Sequence, residues 1–181
     1  MNFSDLAKKR QSVRSYKDMP VEREKIERCI EAARIAPSAH NVQPWKFIVI
    51  DDEELKNKVA KETFNSIVSF NKFTLKAPVL IVVITEKPKL VTKIAGAIKK
   101  TQFNLVDIGI AVEHFCLQAV EENLGTCILG WFFKKGVKKA LNIPQNEDVD
   151  IVIALGYPKT DTIREKRRKN IDEIRAYNKY F

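Results

Sequence analysis

The chain has 181 residues, 45% of them apolar, with 32 Lys plus Arg against 23 Asp plus Glu and a net charge of +9. That length and apolar content suit one domain (1–181) with a core of its own. They exclude a wholly disordered tail, a collagen-like repeat and a low-complexity chain.

The charge excess sits at the two ends. Residues 1–17 are net +4, residues 159–181 are net +4, and the 141 residues between them are net +1. Two readings follow: basic arms for nucleic acid, or two ends converging on one anionic ligand. The start, MNFSDLAKKRQSVRSYKDMP, lacks the apolar stretch of a secretory signal. Within it, Lys9–Arg14 places two arginines around a serine. Guanidinium groups chelate phosphate oxygens bidentately and the hydroxyl adds a donor, although the same cluster also makes an ordinary charged turn.

Further along, residues 22–36 have the apolar spacing of an amphipathic helix through Ile26, Cys29, Ile30 and Ala33, ended by Pro37. The loop PSAHNVQPW (37–45) is stiffened by two prolines. Ser38, Asn41 and Gln43 there can hydrogen-bond the amide edge of a planar heterocycle, or simply cap a loop. KFIVID (46–51) reads as a strand, and residues 52–70 as a helix opening on acids. APVLIVVIT (77–85) is a buried strand, its apolar run too short to span a bilayer.

Residues 102–124 form the longest helix, apolar around much of its circumference. It is therefore expected at the centre of the fold or against a second subunit, with Gly125 as its cap. TCILGWFF (126–133) reads as a short strand. Residues 134–143 read as a small amphipathic helix with Lys138 on its solvated face, and DIVIALGYP (150–158) as the last strand. Strands alternating with helices predict a layered α+β or α/β domain. The basic tail from Lys159 has little core of its own, so a partner subunit is expected to hold it.

Several chemistries lack their residues. There is no G-x-G-x-x-G, Walker loop or G-x-S-x-G elbow, and only two histidines occur. The three cysteines have no C-x-x-C spacing, which argues against a structural zinc site and suits a reducing, cytoplasmic compartment. A chain so poor in acid–base candidates is expected to borrow its chemistry from a cofactor.

In order along the chain, KRQSVR, APSAHNVQPWKF, KAPVLIVV, LGTCILGWF followed by VKKALNIP, ALGYP and the REKRRK run resemble the nitroreductase family of FMN-dependent oxidoreductases. The resemblance implies an α+β fold with a central mixed sheet flanked by helices. It also implies an intertwined homodimer whose C-terminal tail reaches the partner. Arg10 and Ser12 would hold the FMN phosphate and ribityl end, with Arg14 near the pyrimidine edge. Pro37, Ser38, Ala39 and Asn41 match the loop that reaches the flavin from the other subunit. Ile128, Leu129 and Gly130 match the strand end beneath the isoalloxazine, whose backbone N–H bonds flavin N5. Lys166 and Arg168 match the basic pair that closes over the phosphate, and Asn71 or Lys72 lies close by.

Gln11 stands where a basic residue is frequent. His40 occupies a position often filled by a small residue and is a possible substrate contact. No protein side chain is implied as the catalytic group, and no metal. The implied reaction is ping-pong: hydride passes from NADH or NADPH to flavin N5 and on to a small acceptor such as a nitroaromatic or quinone. Alternatives are flavin storage, flavin sensing or dehalogenation by a family member. A nucleic-acid-binding module is a more distant one, since the aromatics do not interleave with the basic residues. Neither a nucleic acid nor a membrane is expected as partner.

Overall fold

A computed structural model describes residues 2–86 and 102–180. The chain opens on a short helix, α1 (Phe3–Lys9), additional to the elements expected from the sequence. Its signal is the Asn2 side chain, which caps it by accepting from the Asp5 N–H. Then follow α2 (Arg23–Arg34), β1 (Trp45–Ile50), α3 (Glu53–Lys61), β2 (Val79–Thr85), α4 (Phe103–Glu121), β3 (Gly125–Leu129), α5 (Lys134–Ala140) and β4 (Asp148–Gly156).

The sheet order is β1-β2-β4-β3, and every pairing of named strands is antiparallel. The mixed sheet expected from the sequence is therefore corrected, for a topological reason. β2 and β3 do run the same way, as a helical crossover through α4 requires, but β4 inserts between them in the opposite direction. Parallel pairing survives only at the isolated Ser12–Thr126 bridge along the outer edge of β3.

β2 is buried along its whole length, and its side chains alternate between two cores. Val79, Ile81 and Val83 pack with α2 and α4, where Phe115 is fully buried and stacks on Phe47 at 6.2 Å. Leu80, Val82 and Ile84 face α3 and α5, with Val59, Val137 and Ile143. The fold is α+β, a sheet between two helical layers. α4 is long and apolar enough by composition to cross a bilayer, yet six of its residues are buried inside this core.

Four expectations shift. The helix expected over 52–70 ends at Lys61, because Thr63 Oγ1 turns back to the Ala60 carbonyl and the Asn65 side chain accepts from Ile67 and Val68 N–H. The strand expected over 126–133 stops at Leu129, opposite Val152, although β4 itself continues to Asp148 against β2. The cap of α4 is Asn123 at φ 60°, not Gly125, with Leu124 N–H bonding the Ala119 carbonyl. Gly125 already belongs to β3. Lys138 is buried instead of solvated, and its ammonium ties down the 145–147 turn by donating to the carbonyls of Gln145 and Glu147.

Candidate functional site

α1 ends at Arg10, whose N–H bonds the Leu6 carbonyl. From there the chain runs extended along β3. Val13 N–H donates to the Thr126 carbonyl at 2.8 Å, and Ser12 bridges Thr126. Tyr16 pins the far end: it bridges Pro158, and its buried hydroxyl donates to the Val13 carbonyl at 2.7 Å and lies 3.3 Å from that of Ala154. Burial pushes that phenol well above its ordinary value, so it remains a donor.

Extended backbone alternates its side chains, and Arg10, Ser12 and Arg14 consequently share one side. They line a cleft of about 400 Å³ with Gln11, Arg164, Glu165, Lys166, Arg167 and Arg168. Five of the residues proposed from the sequence thus meet: Arg10, Ser12, Arg14, Lys166 and Arg168. Arg164, which also belongs there, carried no separate signal in the REKRRK run.

The cleft concentrates positive charge: six cations line it with one acid, Glu165, and three of the cations donate to neutral carbonyls. Arg164 donates to the Ser12 carbonyl at 2.5 Å, Lys166 to that of Ala7 at 2.5 Å, and Arg168 to that of Arg167 at 2.9 Å. Arg10 Nε is buried with no hydrogen-bond partner, although Glu113 Oε2 lies 3.3 Å away out of line. Lys166 is held below the usual lysine range, first by desolvation and then by Arg168 and Arg10. A buried guanidinium nitrogen left without a hydrogen bond beside other cations is the condition an anion relieves.

Ile128 and Leu129 close β3 beside this strand, Leu129 buried and Ile128 half-buried. Gly130 follows, exposed, and a Cβ placed on it would meet nothing within 4 Å. Beyond it stands an exposed aromatic group: Trp131 packs against Phe70 at 5.7 Å and Phe133 at 5.2 Å. Asn71, nearly buried, donates to the Trp131 carbonyl at 2.9 Å, and Arg14 sits 6.0 Å over the Phe73 ring. Lys72 is exposed beside it.

The remaining site residues lie elsewhere. Pro37, Ser38, Ala39 and Asn41 belong to the turn between α2 and β1, held against α4 by Ala39 N–H donating to Asp107 at 3.1 Å. His40, Asn41 and Gln43 all take left-handed conformations, at φ 52°, 52° and 50°. Internal bonds sustain that strain: Ser38 Oγ accepts from Gln43 N–H, and the Gln43 amide donates to Asn41. Neither this turn nor the exposed His40 lines the basic cleft.

Burial disfavours the thiolate at all three cysteines. It pushes Cys29 up to about 12 and Cys116 up to about 11, and raises Cys127 as well. Among the described residues no cluster suits a metal ion.

The nitroreductase family's sequence profile matches residues 7–71 and 68–157. The chain belongs to the nitroreductase family. One nitroreductase relative, from Archaeoglobus fulgidus and provisionally named NADH dehydrogenase/NAD(P)H nitroreductase, is 35% identical over 84% of this chain and 83% of its own. The solved FMN-dependent nitroreductase of Clostridium difficile R20291 superposes with a TM-score of 0.73 at 29% identity, covering 97% of this chain and 96% of that one. An iodotyrosine deiodinase from Thermotoga neapolitana is 27% identical over 97% of both chains.

Proposed function

We propose that this protein is an FMN-dependent oxidoreductase that takes reducing equivalents from NADH or NADPH and delivers them to a small acceptor such as a nitroaromatic or quinone. The observation that carries this reading is the basic cleft, in which the buried Arg10 Nε has no hydrogen-bond partner. Bound FMN supplies the redox chemistry, accepting a hydride and passing electrons on.

The chain's own residues bind and orient. Arg10, Ser12, Lys166 and Arg168 hold the phosphate end, and Arg14 places a cation toward the pyrimidine edge, where it stabilises negative charge. Ile128, Leu129 and Gly130 offer backbone to the ring, with Gly130 leaving room for close approach. The exposed aromatics Phe70, Trp131 and Phe133 offer a surface on which a planar acceptor rests. The test is an absorption spectrum followed by anaerobic titration with NADH and with NADPH. The purified protein is expected to be yellow and to bleach with one of the two. A colourless preparation that takes up no added FMN contradicts the reading.

Completion of the site by a second copy belongs to the same proposal. Pro37, Ser38, Ala39 and Asn41 stand outside their own chain's basic cleft, available to a partner's flavin. α4 exposes Leu105 and Val106, and the tail exposes Ile171, Ile174 and Tyr177. These surfaces support a homodimer, and light scattering is expected to give about twice the chain mass of 20.8 kDa. A flavin-loaded monomer overturns this. Three free, buried thiols support a reducing, cytoplasmic setting.

A pH dependence follows from Lys166. Its protonated form binds the phosphate, and its proton leaves at lower pH than that of an ordinary lysine. FMN affinity is therefore expected to fall as pH rises, with the loss beginning below the ordinary lysine range. Lys166→Arg is expected to abolish that alkaline loss; an unchanged profile contradicts the assignment. The deiodinase relative motivates a second reading, reductive dehalogenation of an iodinated phenol, tested by iodide release from iodotyrosine.

A further inference from the structure

The tail that carries Lys166 and Arg168 needs something to hold it over the cleft. Backbone pairing supplies this only as far as Lys159: Lys17 N–H bonds the Tyr157 carbonyl, and Lys159 N–H bonds that of Ser15. Among the described residues, the next bonds joining tail to body come from side chains. Nearest in sequence is Gln11. Its Nε2 donates to the Thr162 carbonyl at 2.9 Å, and its Oε1 accepts from Arg164 N–H at 3.1 Å and from Arg164 Nε at 3.2 Å.

This is the pattern of a strand pairing made by a side chain. The backbone pairing at 15–17 is antiparallel, so the side chain borrows the bonding pattern of a parallel ladder without continuing that register. In a parallel ladder a residue donates its N–H to one carbonyl of its neighbour and accepts at its C=O from an N–H two residues on. The Gln11 amide does both, around Ile163. Its partners also fix which way the amide points, since the reverse orientation sets donor against donor and acceptor against acceptor. The residue type follows from the inventory of side chains. Glutamine combines a planar donor and acceptor on this length of stem; arginine offers no acceptor, ionised glutamate no donor, and asparagine falls one methylene short.

We infer that Gln11 is the positioning residue of the phosphate site: its side-chain amide ties the N-terminal segment to the tail and so sets Arg164, Lys166 and Arg168 over the cleft. This rests on the flavin reading above. It also gives the departure at position 11 a role, since a residue that aims three cations at the phosphate stands in for a cation of its own. Arg164 carries the consequence. Held by Gln11 through its N–H and Nε, it directs its Nη2 onto the Ser12 carbonyl, joining both basic segments at one point.

Gln11→Met keeps the stem and volume and removes both hydrogen-bonding functions. Binding of FMN and of riboflavin, which lacks the phosphate, is measured by flavin fluorescence on the full-length protein. Tryptic cutting within 164–169 is followed with and without flavin. FMN affinity is expected to fall about tenfold, riboflavin affinity to stay unchanged, and tryptic cutting to accelerate even without flavin. Lys135→Ala, an exposed basic position on α5, is expected to change none of these. Wild-type FMN affinity and unchanged tryptic cutting in Gln11→Met overturn the inference, as does an equal loss for riboflavin. A wild-type protein that takes up no FMN overturns the flavin reading instead, while the tryptic comparison in flavin-free protein still decides whether Gln11 holds the tail.

Discussion

Arg10→Ala is expected to reduce FMN affinity by about 10–100-fold, the scale of one or two hydrogen bonds between charged groups. The side chain enters the cleft from the end of α1 and is 18% exposed. Truncation removes the donor left without a partner in the described chain, and it exposes the phosphate to Glu113, whose carboxylate Arg10 otherwise screens at 3.3 Å. Two effects then act in the same direction: lost attraction and unmasked repulsion. Arg10→Lys keeps the charge but not the fork, and is expected to fall between wild type and alanine. Arg10→Ala/Glu113→Gln is expected to recover the repulsive part only. Lys135→Ala, which removes the same formal charge from exposed α5, serves as comparison. Equal losses at the two positions would show that overall charge, not a formed site, retains the cofactor.

How much of this was legible beforehand depended on how local its cause was. The alternation of Val, Ile and Leu through 79–85 located β2, because burial on both faces leaves a continuous apolar run. The apolar circumference of α4 located its central position, and the exposure of Leu105 and Val106 within that circumference is what a second copy would cover. The spacing Arg10, Ser12, Arg14 matched a known motif, and its physical sense emerged only when the segment proved extended: residues two apart share a face.

Features set by distant partners were not legible. Strand order is one, since β4 enters between β2 and β3 from the end of the chain. Lys138 is another, its burial decided by the carbonyls of Gln145 and Glu147, which wrap over it. Gln11 is the sharpest case. As a residue it reads as a neutral replacement for a basic one, and its role exists only through residues about 150 positions away. Two features do have local signals: Asn2 caps α1, and Asn123 is the left-handed cap of α4.

Gly125→Ala is expected to lower both stability and flavin affinity, whereas Gly130→Ala lowers flavin affinity alone. Neither glycine has a positive φ, so the difference is one of room. A Cβ on Gly125 would lie 2.6 Å from Val13 Cγ2, 2.8 Å from Val13 Cβ and 3.0 Å from Pro158 Cγ. Because Val13 Cβ itself is too near, rotating the valine does not clear the clash. The segment carrying Ser12 must move off β3, against the Val13–Thr126 hydrogen bond and the Tyr16 anchor. Overpacking of this kind costs about 1–3 kcal/mol, or about 2–4 °C of Tm per kcal/mol in a chain of this size. The same movement carries Arg10, Ser12 and Arg14 away from the tail cations, so flavin affinity falls with it. Val13→Ala in the same chain removes the nearer contact and is expected to restore part of each property. At Gly130 nothing lies within 4 Å, so alanine leaves Tm unchanged and acts only where a ring approaches the backbone. Thermal melts of flavin-free protein and FMN titration of both variants check this. A Tm loss in Gly130→Ala matching that of Gly125→Ala would contradict the distinction between a glycine that admits a neighbouring strand and one that admits a ligand.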